Sequence, residues 1–266
     1  MLHSATRMIP ALEQVIRRDR ALAAVCIALI SALAWVYLIG LDASMTGGTS
    51  NVQMAAMGMD TREWGAADWL ELFGMWAVMM VGMMLPSVAP VLLHMLQLYR
   101  RRGDRLARAS AATFVGGHLL AWISFAALAA TAQLALHRAA LIGTGLTMRS
   151  TVVTGVLLVA VGVYQCLPVK SACLTHCRPP LQFLSMKRRD GTVGAFTMGL
   201  HHGGFCVGCC LGLMVLMFAV GVMNLFWTAA IAILVLVEKL APRRLRIEYA
   251  SGVPLIAWGV VTLARG

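Results

Sequence analysis

MGLHHGGFCVGCCLGLMVLM, residues 198–217, is the stretch on which the reading of this chain turns. Its apolar background suits a helix inside a bilayer, and it carries three of the seven cysteines, two of the seven histidines and three of the 18 methionines. In a helix, residues three or four apart share a face, so Met198, His202, Cys206, Cys209, Cys210, Met214 and Met217 form one stripe about five turns long. Nearly every side chain on that stripe is a soft-metal ligand. Glycines at 199, 203, 204, 208 and 212 leave the helix surface thin, so a neighbouring backbone or an ion can come close. A competing reading makes the stretch a small-residue packing seam with ordinary buried thiols. Paired histidines and paired cysteines are costly choices for a surface that only meets lipid, which favours the ligand reading.

Working outward, the composition assigns the class. The 266 residues are 60% hydrophobic and 12% charged, with a mean hydropathy of +0.80, more apolar sequence than a soluble core needs. The expected fold is all-α: a polytopic transmembrane helix bundle of about seven spans, six if the short last windows do not both cross. Apolar windows fall at 21–40, 69–93, 112–136, 150–168, 193–220, 224–240 and 250–264. Arg7, Arg17, Arg18 and Arg20 precede the first, and no small-residue cleavage site follows it, so it reads as a retained span. With the N-terminus in the cytoplasm, the inside segments hold 4, 5, 5 and 4 lysines or arginines, 18 of the 22 in the chain. That asymmetry explains the net charge of +11 by topology and removes the case for a nucleic-acid partner. The expected setting is the bacterial cytoplasmic (inner) membrane, with lipid as the first partner.

Segment 41–68 then reads as an external loop, on the side of the membrane away from the cytoplasm. Met54, Met57 and Met59 in it suit weak capture of Cu(I), or simply lie against the bilayer surface. Trp64, Trp69 and Trp76 read as interfacial anchors. The second span brings Met75, Met79, Met80, Met83 and Met84 onto a broad face, followed by Pro86 and Pro90, which free backbone carbonyls and favour a kink. His118 in the third span reads first as a structural histidine. Segment 169–192 reads as a cytoplasmic loop carrying Cys173 and Cys177, four apart, with His176 between them. On the reducing side these are free thiols or metal ligands, not a structural disulfide.

Cys206 falls roughly 20 Å into the fifth span, with His201 and His202 shallower. If the second and fifth spans pack together, methionines, deep cysteines, histidines and the Cys173/Cys177 pair line one route through the membrane. Thioethers and thiolates suit a soft cation, and copper as Cu(I) is the first expectation, for transport or for delivery to a membrane metalloenzyme. Two other readings stay open: a haem, quinone or thiol-based redox protein using His94, His118, His201 and His202, and a structural accessory subunit or homo-oligomer. Phosphate-binding loops, nucleophile elbows and HExxH pairs are absent from the sequence, so nothing supports ATP-driven pumping or hydrolysis.

Three motifs in order, MWAVMMVGMMLP at 75–86, YQCLPVKSACLTHCRPP at 164–180 and GLHHGGFCVGCCLGLMVLMFAVGVMNLFW at 199–227, carry a family resemblance. The chain resembles a bacterial family of predicted metal-binding integral membrane proteins of unknown function. The resemblance implies metal binding at Met75, Met79, Met80, Met83, Met84, Cys173, Cys177, Cys206, Cys209 and Cys210. Leu211 departs from it, standing where a tryptophan is expected after the paired cysteines.

Overall fold

The computed structural model describes residues 2–47, 65–101, 106–139, 150–177, 191–222 and 224–265. Among the described residues there are eight α-helices and no strand. They are α1 (Leu2–Gly47), α2 (Ala66–Arg101), α3 (Ala107–Arg138), α4 (Thr151–Cys166), α5 (Pro168–Cys177), α6 (Gly191–Val220), α7 (Leu225–Leu240) and α8 (Ile247–Arg265). Met54, Met57, Met59 and Trp64 lie outside the described residues.

Five of these helices are long and apolar enough to cross a membrane, and α4 with α5 makes a sixth if the bent pair is one span. By length and composition the count is five or six, which includes the six-span alternative and does not confirm seven. α7 is the difference: its 16 residues reach roughly 24 Å, short of the ~30 Å hydrocarbon layer. α7 still turns apolar side chains outward, with Phe226 73% and Ile233 62% exposed. α1 and α8 do the same, with Leu33 68% and Val36 65% exposed. Faces of that kind fit a multi-pass membrane protein and not one surrounded by water.

The segment expected as a loop from 169 begins as helix α5. Pro168 has no amide hydrogen and pushes Leu167 into extended backbone (φ −72°, ψ 144°), so α4 ends there and α5 leaves it at 60°. That bend turns Cys173 and Cys177 back against α6. At the other end of α6, Gly221 takes φ +98°, and the Asn224 side chain accepts from the Trp227 amide at 3.3 Å, starting α7.

Glycines set the closest helix contacts. A Cβ on Gly199 would run into the Phe114 backbone, and one on Gly203 would lie 2.9 Å from the His118 carbonyl oxygen. α3 and α6 thus meet backbone to backbone. Gly199→Ala is expected to cost about 1–3 kcal/mol and lower the thermal midpoint in detergent. Gly204→Ala, with open space beyond it, should leave the midpoint unchanged. An equal midpoint for both variants contradicts the packing. α4 and α8 repeat the device, since Cβ atoms on Gly162 and Gly252 would each lie 2.8 Å from the other's carbonyl oxygen. At one end, buried Asp19 of α1 takes Arg100 of α2 at 2.6 Å and Arg108 of α3 at 3.6 Å, tying three helices.

Candidate metal centre

All seven members of the stripe on α6 are buried: Met198, His202, Cys206, Cys209, Cys210, Met214 and Met217. The glycine seam with α3 occupies the earlier turns at Gly199 and Gly203, and the thiols begin about one turn further on. On the opposite side Gly208 and Gly212 receive the Cys173 sulfur and the Tyr164 ring.

Four thiols meet at one place. Cys209 Sγ lies 3.5 Å from Cys210 Sγ and 3.7 Å from Cys177 Sγ at the end of α5. Cys206 belongs to the same buried cluster, and the Cys209 thiol donates to its carbonyl oxygen at 3.2 Å. Every cysteine of the chain is a free thiol. Met75, Met79, Met80, Met83 and Met84 of α2 are all buried in the same core as these sulfurs. α2 and α6 both pack on α3, and Trp76 of α2 reaches Phe218 of α6 with ring centroids 5.4 Å apart, which puts thioethers and thiols in one interior.

The remaining sequence-predicted residues sit outside this cluster. Cys173 packs on Gly208. His201 stands edge-on to Phe205 at 4.7 Å, and His176 stacks on the same ring at 4.4 Å. His94 is exposed and lies 3.3 Å from the Pro90 carbonyl oxygen. Trp76, expected at the interface, is instead wholly buried and donates to Gln133 Oε1 at 2.6 Å.

One cation already stands among the sulfurs. Lys239, at the end of α7, is buried, and its Nζ lies 2.8 Å from Cys206 Sγ and 2.8 Å from Ser87 Oγ. Ser87 in turn donates to the Met84 carbonyl at 2.7 Å, so one ammonium connects α2, α6 and α7. A buried charge is tolerated only when paired or hydrogen-bonded, so the cluster is built to accommodate positive charge. Among the described residues, no three His, Cys, Asp or Glu side chains form a ready-made shell for an ion. The donor set is chemically right for a soft cation but is not preassembled around an empty point.

Sequence reading missed Lys239 and Ser87, because a lysine near a helix end reads as an interfacial charge. The Tyr164 hydroxyl donates to the Gly208 carbonyl at 2.5 Å, one residue from Cys209. Tyr164→Phe is expected to cost about 1 kcal/mol. It should also speed alkylation of Cys209 and Cys210 by a membrane-permeant maleimide; unchanged rates would show that this bond does not hold the thiols in place.

Fold and site together define a multi-pass helical bundle with a sulfur-lined interior. The chain belongs to the PpoB2 family, described as copper chaperones, whose model matches residues 73–262. The matched span includes α2 from Phe73 onward, and hence every methionine and cysteine of the buried cluster. Neither curated proteins nor solved structures give a match.

Proposed function

We propose that this protein is a chaperone of the bacterial cytoplasmic membrane that takes Cu(I) into its interior and passes it to a copper-dependent membrane enzyme. The observation that carries the reading is the buried convergence of Cys177, Cys206, Cys209 and Cys210, from two helices, beside the methionines of α2. Soft thiolate and thioether donors select Cu(I) over the hard cations that are more abundant. Cys206, Cys209 and Cys210 with Cys177 would hold the ion. Met75, Met79, Met80, Met83 and Met84 would form its approach, and Cys173, His201 and His202 would stand at the margin. Two thiolates on one Cu(I) leave a net charge of minus one, and Lys239 is positioned to balance it within a low-dielectric interior. The basic residues before the first apolar run, Arg7, Arg17, Arg18 and Arg20, and those around the connection of α2 to α3, Arg100, Arg101, Arg102, Arg105 and Arg108, support a cytoplasmic N-terminus.

The haem reading gains a pair of facing histidines, but the slot for a macrocycle is missing. His118 and His202 are 3.3 Å apart at Nδ1, and Gly203 beside them is in contact with the His118 backbone. Delivery and transport separate in vesicles. Cu(I)-loaded protein should activate a copper-dependent apoenzyme on its own side of the membrane without raising lumenal copper. Copper accumulating in the lumen, with no activation, would replace delivery by transport.

A further inference from the structure

Two histidines outside the thiol cluster remain to be explained. His118 of α3 and His202 of α6 are separated by 84 residues in the chain and face each other with Nδ1 to Nδ1 at 3.3 Å. Both are buried, and their rings are 5.3 Å apart at the centroids. Two neutral imidazoles meeting nitrogen to nitrogen share at most one proton between them; without it, two lone pairs converge. The other ring nitrogen of His118, Nε2, is buried and has no hydrogen-bond partner among the described residues. A buried polar atom left so is costly and calls for an explanation.

The contact is also built into the backbone. Gly203 follows His202 directly, and a Cβ there would lie 2.9 Å from the His118 carbonyl oxygen and 3.2 Å from its Cα. Any larger residue would push the two rings apart. His202 lies one helical turn before Cys206, on the same stripe. The pair is therefore adjacent to the sulfurs and on the same face of α6. Phe114, with its centroid 5.7 Å from that of His202, closes the apolar side.

We infer that His118 and His202 form a nitrogen-donor station for Cu(I) beside the thiol cluster, taking the ion at one step of its passage to or from the sulfurs. Imidazole is a borderline ligand that binds copper readily, and it holds Cu(I) less firmly than thiolate, as a transfer step requires. The inference rests on the copper reading above and adds His118 to the residues that handle the ion.

The test is X-ray absorption at the copper edge on purified protein in detergent, loaded anaerobically with Cu(I) beyond one equivalent. Wild type should show sulfur scatterers together with the multiple scattering of imidazole. His118→Gln should lose the imidazole signature and keep the sulfur shell. Its Cu(I) retention at the second equivalent should fall about tenfold or more against a competing chelator. The Cys206/Cys209/Cys210→Ser variant should show the reverse, with nitrogen kept and sulfur lost. A sulfur shell without imidazole in wild type, needing no variant to read, overturns the inference and leaves the copper reading intact. Absence of any sulfur-bound copper overturns both.

Discussion

Lys170→Met is expected to destabilise the protein by about 3–5 kcal/mol, the usual consequence of removing one partner from a buried ion pair. Lys170 is wholly buried at the start of α5, and its Nζ lies 2.7 Å from both carboxylate oxygens of Glu238 on α7. It also donates to Gln165 Oε1. Gln165 Nε2 in turn donates to Glu238 at 3.2 Å and to Ser251 of α8 at 3.0 Å. Four helices, α4, α5, α7 and α8, therefore share one pair of charges. Without Lys170 the Glu238 carboxylate keeps its amide partner but loses its counter-charge. The thermal midpoint in detergent should drop sharply, and the Lys170→Met/Glu238→Met double variant should recover most of the loss, because an apolar pair removes both charges together. A single variant as stable as wild type would show that the pair does not hold these helices.

The second large effect falls on copper. Cys206→Ser should weaken Cu(I) binding by more than the ~10–100-fold that loss of an outer-shell partner brings, since it removes a donor outright. Lys239→Met should weaken it within that 10–100-fold range by leaving the buried copper thiolate without its compensating charge. Cys26→Ser, on an exposed thiol of α1, should change neither affinity nor stability. Competition against a chromophoric Cu(I) chelator reads all three. If Cys206→Ser and Cys26→Ser bind alike, the buried thiols are packing residues.

The stripe on α6 was legible because period 3.6 and an apolar background leave little choice of face, and each of its seven members is buried. The break at Leu167–Pro168 and the cap at Asn224 follow from local chemistry and could be read the same way. What escaped were contacts made between distant segments. Lys239 and Cys206 are 33 residues apart, Lys170 and Glu238 are 68, and His118 and His202 are 84. Near a helix end, hydropathy registers a lysine as a topology marker, and only the bend between α4 and α5 shows that Lys170 turns inward. Trp76 failed for a similar reason: an indole near a span's start suits the interface equally well as a core with Gln133 waiting in it. α7 reads as a span on composition, and at 16 residues it falls short on length.

Everything functional depends on sulfurs from α5 and α6 gathering in the interior to hold one soft ion. Elemental analysis of protein purified from copper-supplemented cells, wild type beside the Cys206/Cys209/Cys210→Ser variant, tests this most directly. The account predicts copper in stoichiometric amount in the wild type and a clear loss of copper in the variant, with both eluting as the same folded species. Equal copper in the two preparations, or none in either, would contradict it.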